Sequence, residues 1–437
     1  MKITLHHTGR TYTQPPVIAA PPSKSDAHRL LILAALSQTD TPVTLSCRDS
    51  NADIDATVRC LCALGAGIEK NGSGYTVTPI DRTACRGEQE IFMNVGESGS
   101  TLRFLIPVIG ALGISAVIRR EGRLPDRPLF PLDAVLTEHG MTLYDDSADP
   151  ALLHLRGRLT AGDYEIDGGV SSQFISGLLF ALPLLDAPSS LHITGTVSSA
   201  PYIALTRSAL ARFGYDISPT EDGHRYALPP AQFRPGEALR VEGDWSGAAF
   251  LLCAGAMTDG VTVTGLSADS VQGDRRILDV LSAAGCPITW QGDAVTVLPP
   301  PASRLRPICI AADDIPDLVP PIAMLCCAAH GTSVISGCAR LRIKESDRLT
   351  AVRNMIAALG GHADTTNDSI TVCGTGVLCG GSCDGANDHR MVMSAALGAL
   401  IAQADVTVTD RDAIRKSYPG FYDDFSAFGI CDADTFR

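Results

Sequence analysis

Four charged side chains, Lys344, Glu345, Asp347 and Arg348, crowd into five residues of the run RIKESDRL. Acids and cations so close can move protons and hold an anion at once, which suits general acid–base chemistry on a phosphorylated or carboxylated small molecule. An amphipathic run follows, with Leu349, Val352, Ile356 and Leu359 at helical spacing and Gly360 as its stop. Ser346 is the expected N-cap, which places Arg348 in the first turn, where the helix dipole already presents partial positive charge. Two readings are open for one such place: a solvated helix start, or an anion that reverses the sign of the problem. Recurrence favours the second. Lys24 (with Ser23, Ser25, Asp26 and Arg29), Arg103 (after GESGST) and Arg390 (beside Asp388 and His389) also open helix-like runs. Four cations set against four dipoles point to a ligand carrying more than one phosphate or carboxylate.

Other polar groups stand at comparable places. The turn GESGST supplies Gly96, Gly99, Ser100 and Thr101, where a backbone can approach a ligand closely, or where the chain merely turns. It lacks the lysine–hydroxyl ending of a nucleotide loop. Arg123 and Arg127 lie in the Pro-punctuated EGRLPDRP, as forks for an anion or as solvated loop residues. Ser171, Ser172 and Gln173 are uncharged donors suited to a phosphate and a ring hydroxyl, and Ser199 with Tyr202 forms a similar polar turn. Asp317, in DDIPDLVPP, reads either as an N-cap or as a buried base facing a substrate hydroxyl. Arg415 and Lys416 close the series in IRKSYPGF.

These residues are carried by a repeat. Apolar helix-like runs begin near Ser25, Ser100, Ser172, Ser246, Asp317 and Asp388, each followed by a short strand-like segment such as TPVTLS or GVTVTG. A second helix in each unit stops at Gly65, Gly140, Gly214, Gly285, Gly360 and Gly429. Two helices and several short strands per unit predict an α/β fold of six βαβαββ modules, three per domain. The first domain is expected at 22–241 and the second at 1–21 plus 242–437. A two-strand hinge near 20–22 and 241–244 depends on the opening strand MKITLHH pairing with the later half.

Composition narrows the partners. The 437 residues, 45% hydrophobic, allow two or three sizeable cores. There is no apolar run of membrane-spanning length and no leader-like start, so a cytoplasmic location is expected. The 14 cysteines are scattered, without a CxxC pair, and read as buried free thiols. A formal charge of -13 disfavours a nucleic-acid backbone, so the ligand should be small.

Seven ordered motifs, PPSKSDAHR, GESGSTLR, VSSQF, IPDL, KESDRL, NDHRM and KSYP, resemble those of the 5-enolpyruvylshikimate-3-phosphate synthase family and span about Pro21 to Pro419. The resemblance implies an inverted, inside-out α/β barrel of six repeats in two domains, no metal and no cofactor, and a monomer is expected beside it. It also implies transfer of the enolpyruvyl group of phosphoenolpyruvate to the 5-hydroxyl of shikimate 3-phosphate, a step of aromatic amino-acid biosynthesis. Carried over by motif, Lys24, Gly99, Arg123, Gln173, Arg348, Arg390 and Lys416 resemble the phosphoenolpyruvate set. Ser25, Arg29, Ser171, Ser172, Gln173, Ser199, Tyr202, Asp317 and Lys344 resemble the shikimate 3-phosphate set. The implied catalytic groups are Asp317 for the hydroxyl proton, Glu345 for the methylene proton, Lys24 near the phosphate, and His389.

The chain departs from the family at Glu97 and Ser98, where many members have asparagine and alanine, at Ala200 (often lysine) and at Arg340 (often asparagine). Three rivals are weaker. The sister transferase acting on UDP-N-acetylglucosamine relies on a cysteine in the loop aligned with EGRLPDRP, which has none here. An RNA 3'-phosphate cyclase would use His389 as its nucleophile, but the acidic balance argues against RNA. A non-catalytic anion binder should have lost Asp317 or Glu345. Two cationic faces are expected to repel until a substrate phosphate neutralises one, after which the domains close. Unchanged small-angle scattering on adding shikimate 3-phosphate would count against that closure.

Overall fold

The computed structural model describes residues 1–9, 14–82, 90–301 and 304–433. Cys85 lies outside them; of the cysteines within, all are free, and Cys47, Cys60, Cys253, Cys286, Cys326, Cys327, Cys338 and Cys383 are buried. Contacts divide the chain into two compact units, one made of Met1–Ser23 and Glu242–Arg437, the other of Lys24–Val241.

The described helices are α1 (Lys24–Ala35), α2 (Ala52–Ala63), α3 (Gly99–Leu112), α4 (Leu132–Glu138), α5 (Ser172–Ala181) and α6 (Ala200–Ala211) in the continuous unit. The split unit has α7 (Trp245–Met257), α8 (Ile277–Ala283), α9 (Val319–Ala328), α10 (Arg348–Ala358), α11 (His389–Ala399) and α12 (Phe421–Phe425). The odd-numbered helices up to α11 begin within two residues of the six predicted starts. They are apolar nearly all round because they form the cores: every residue of α9 and α11 is buried. The even-numbered helices through α10 bury one face, and Gly65, Gly140, Gly214, Gly285, Gly360 and Gly429 all have φ between +74° and +102°. Only glycine takes that conformation cheaply, so these residues stop the second helix of each module.

Each unit carries three small sheets. In one, Ile91–Asn94 lies parallel to Ala116–Arg119, which pairs antiparallel with Leu152–Gly157, itself antiparallel to Met141–Asp145. With α3 and α4 between the strands, this is the predicted βαβαββ order. The split unit repeats it in Cys309–Ala311, His330–Ser336, Ser369–Thr375 and His362–Thr365. The opening strand Ile3–His7 does pair with the later half, lying between Val406–Val408 and Ile430–Asp432. Sheets surround a helical core within each unit, which is the inverted arrangement that the family resemblance implies.

Close helix packing then sets the functional side chains. A Cβ added at Gly177 in α5 would sit 2.5 Å from the Arg103 carbonyl oxygen of α3. Glycine there lets the two backbones touch, and Gln173, one turn earlier, is brought to the start of α3.

One predicted cap is corrected. Asp347, not Ser346, caps α10, its Oδ1 accepting the Thr350 N–H at 3.1 Å. The Ser346 hydroxyl is drawn away to donate to Asp388 Oδ2 at 3.0 Å. Among the described residues, no helix is long and apolar enough to cross a membrane.

Candidate active site

In the split unit the first residue of α10 is the centre of a charge cluster. Arg348 is 1% exposed, and its guanidinium donates from Nε to Asp388 Oδ2, from Nη1 to Asp317 Oδ1 and from Nη2 to Glu345 Oε2, each at 2.7 Å. A fourth bond reaches Asp388 Oδ1 at 3.3 Å. Burial alone would weaken the hold on its proton, but Asp388, Glu345 and Asp317 outweigh burial and keep it a cation well above its usual range. Asp388 is buried as the N-cap of α11, accepting the Arg390 N–H at 3.0 Å. The carboxylates are therefore fixed by one fork-shaped donor together with helix-end donors.

Asp317 sits in the short turn Pro316–Leu318, while Leu318 occupies the N-cap position of α9 without a side-chain bond. Of the two readings open for Asp317, capping is thus not the one adopted. Its carboxylate meets Arg348, then Arg390 Nη2 at 3.0 Å and Lys344 Nζ at 3.7 Å, and Arg390 Nη1 donates to its backbone carbonyl at 3.2 Å. Burial lowers the Lys344 pKa to about 8, opposed by Asp317 and assisted by Arg348 and Arg340. Arg340, one of the departures from the family pattern, thus acts on this cluster from the turn Ala339–Ile343. Lys416 donates to the Asn387 carbonyl at 2.6 Å, at the entrance to α11. His389 is buried, with Nδ1 3.8 Å from Asp388 Oδ1.

The continuous unit gathers a second, less acidic set. Gln173 Nε2 donates to Ser100 Oγ at 3.0 Å, and Arg103 Nη1 donates to Gln173 Oε1 at 3.2 Å, so the amide orientation is fixed by its neighbours. Ser171 caps α5 and accepts the Gln173 N–H; Ser172 is buried at the first residue of the helix. Gly99 lies against two guanidinium groups, since an added Cβ would come 2.6 Å from Arg103 Nη1 and 2.9 Å from Arg127 Nη1. Lys24 Nζ pairs with Asp53 Oδ2 at 2.9 Å.

Arg29 is buried, and its pKa is pushed down to about 10 by that burial. It donates to Thr206 Oγ1 at 2.9 Å, the Ser25 carbonyl at 2.6 Å, Ser176 Oγ at 3.5 Å and the Tyr202 carbonyl at 3.0 Å. In this state the arginine ties α1, α5 and α6 together and so places Ser25 and Tyr202. Ser199 is buried at the start of α6 with φ of +56°. Arg123 is not gathered into these clusters; it is exposed in the loop after Ala116–Arg119.

Three features were invisible in the sequence. Asp53 balances Lys24, and Asp388 and Glu345 balance Arg348, so cations that the dipole argument left to an external anion already have counter-charges in the protein. Asp274, beside Ser246, is a buried carboxyl near Asp317 and Arg390. Its sequence context, QGDRR, carries no signal of that proximity.

The cluster sets the carboxylates of Asp317 and Glu345, groups of the type that transfers protons, beside the cations Lys344, Arg348 and Arg390. Among the described residues, no group of three or more His, Cys, Asp or Glu side chains is placed to hold a metal ion.

A sequence profile of EPSP synthase (3-phosphoshikimate 1-carboxyvinyltransferase) matches residues 13–425. The 3-phosphoshikimate 1-carboxyvinyltransferase of Clostridium kluyveri is 36% identical over 420 residues, covering 94% of each chain. That of Methanocorpusculum labreanum is 34% identical over 412 residues, covering 94% of this chain and 96% of its own. Among solved structures, an EPSP synthase of Acinetobacter baumannii superposes with a TM-score of 0.78 at 21% identity, over 98% of this chain and 99% of that one. The enolpyruvyl transferase NikO from Streptomyces tendae reaches 0.72 at 18% identity, over 98% of both chains. The structural likenesses carry the two-domain fold, and the profile and sequence identities carry the rest: the chain belongs to the EPSP synthase (3-phosphoshikimate 1-carboxyvinyltransferase) family.

Proposed function

We infer that this protein transfers the enolpyruvyl group of phosphoenolpyruvate to the 5-hydroxyl of shikimate 3-phosphate, releasing phosphate. The observation that carries the reading, beside family membership, is the pair of carboxylates Asp317 and Glu345 held by the single guanidinium of Arg348, each at 2.7 Å. Addition needs a base at the hydroxyl and an acid at the methylene, and two differently placed carboxyls supply both.

In the first step the 5-oxygen bonds to C2 of phosphoenolpyruvate, Asp317 takes the hydroxyl proton, and Glu345, having taken up a proton from solvent, gives it to C3 to form a methyl group. In the second step the C2–O bond to the phosphate breaks, its electron pair leaves with the phosphate, which takes up a proton from solvent, and Glu345 takes back a methyl proton as the double bond re-forms. Asp317 then releases its proton to solvent. Arg348, Arg390, Lys416 and Lys24 stabilise charge on the carboxylate and departing phosphate of phosphoenolpyruvate, with Gly99, Arg123 and Gln173 completing that set. Ser25, Arg29, Ser171, Ser172, Ser199, Tyr202 and Lys344 hold shikimate 3-phosphate. His389, beside Asp388, belongs to the catalytic set with Asp317, Glu345 and Lys24. A cytoplasmic monomer working without cofactor, metal or nucleic acid completes the proposal.

The test is phosphate release from phosphoenolpyruvate with shikimate 3-phosphate and with UDP-N-acetylglucosamine as alternative acceptors. Release with shikimate 3-phosphate alone is expected. Release with neither acceptor from folded protein would overturn the reading and direct attention to Glu97, Ala200 and Arg340.

A further inference from the structure

Asp274 has no role in the reaction just described, yet it lies among the groups that perform it. It occupies the turn Gly273–Arg276 ahead of α8 and is 3% exposed. Oδ2 accepts a hydrogen bond from Ser246 Oγ, in the first turn of α7. Oδ1 is also buried and has no hydrogen-bond partner among the described residues. The charges facing the carboxyl are Asp317, Arg390 and Asp244, the N-cap of α7; Arg275 and Arg276, on its own turn, are exposed.

An ionised carboxylate with one buried oxygen unsatisfied is costly, and a second carboxylate competing for the same guanidinium makes it costlier. Burial first, then the charge of Asp317, raises the Asp274 pKa to about 7, against the pull of Arg390 and the Ser246 hydroxyl. Asp317 already holds Arg390 at 3.0 Å, and Asp274 lies within the electrostatic reach of the same guanidinium.

We propose that Asp274 is a positioning residue that controls how Arg390 is shared: while protonated it leaves the guanidinium to Asp317 and the incoming anionic substrate, and once ionised it competes for that guanidinium and repels the anion. The proposal rests on the assignment of Arg390 to phosphoenolpyruvate.

The measurement is KM for phosphoenolpyruvate from pH 5.5 to 9 in wild type, Asp274→Asn and Ser246→Ala. In wild type KM rises by about tenfold through a midpoint near 7, a ratio equivalent to about 1.4 kcal/mol. The substrate's own phosphate titration is common to all three proteins and cancels in the ratios. Asp274→Asn keeps the shape without the charge, so its KM loses this rise. Ser246→Ala removes a bond that favours the carboxylate and moves the midpoint to higher pH, an effect that a purely structural role would not produce. Parallel profiles for wild type and Asp274→Asn overturn the proposal. If none of the proteins consumes phosphoenolpyruvate, the functional reading fails by itself, and carbon-13 spectra of labelled aspartate decide on Asp274. A resonance missing from Asp274→Asn should titrate near neutrality and shift the Asp317 resonance with it. A resonance already ionised below pH 5 overturns the proposal.

Discussion

Arg348→Met removes a buried guanidinium on which three carboxylates converge. Arg348 and Asp388 are 1% and 0% exposed, so water does little to screen the charge left behind. Removing one partner of such a buried pair costs about 3–5 kcal/mol, because the remaining acid keeps its desolvation penalty without its counter-charge. With a urea slope of about 2–3 kcal/mol/M, the unfolding midpoint should fall by about 1–2.5 M. The assay can be confined to the affected unit, because Trp245 and Trp290 both lie in the split unit and are the only tryptophans of the chain. Adding Asp388→Asn to Arg348→Met should recover part of the loss, since it deletes the most deeply buried of the orphaned charges. Arg353→Ala, at an exposed position of the same helix, is the control and should change stability by no more than about 0.5 kcal/mol. A midpoint for Arg348→Met within about 0.3 M of wild type would refute the reasoning, since at these slopes it leaves under about 1 kcal/mol for the network.

Three further outcomes are expected. Glu345→Gln should retain phosphoenolpyruvate binding by calorimetry while turnover falls by about 10²–10⁴-fold; a near-normal rate would remove Glu345 from the proton transfers. Gly99→Ala should displace the Arg103 and Arg127 side-chain ends and raise KM for phosphoenolpyruvate by about tenfold or more, with little loss of stability because only flexible groups move; an unchanged KM would separate these arginines from the site. The Asp274 pKa is raised from 3.8 to about 7 on folding, so the protonated acid stabilises the folded state below pH 3.8 and that stability is lost as pH rises to 7. Asp274→Asn escapes the loss and should melt higher relative to wild type at pH 8 than at pH 4; equal differences at both pH values would contradict the assignment.

The parts of the fold that follow from neighbours in sequence were legible in advance. Glycine at 65, 140, 214, 285, 360 and 429 and the apolar runs after each polar start are local signals, and the six-module pattern followed from their spacing. Ser346 and Asp347 show the limit. Both are capping types, and the choice between them was made by Asp388, far along the chain and within reach of the serine hydroxyl. Asp317 is similar: its type and position allowed a cap or a base, and Lys344, Arg348 and Arg390 had to be placed around it before the cap could be set aside. The Asp53 partner of Lys24 and the buried Asp274 are pairings in space without local periodicity, so sequence inspection passed over both.

The place of Ile3–His7 between Val406–Val408 and Ile430–Asp432 has a consequence for how the protein is made. The continuous unit has all its residues once the ribosome passes Val241, and it can condense while the rest of the chain is unwritten. The split unit cannot complete the sheet of its opening strand until Val406–Val408 and Ile430–Asp432 have been translated, because that strand waits for partners in the later half. An unpaired strand edge held that long is a target for chaperones, and a chain halted before residue 406 would carry one finished unit and an unpaired Ile3–His7 strand.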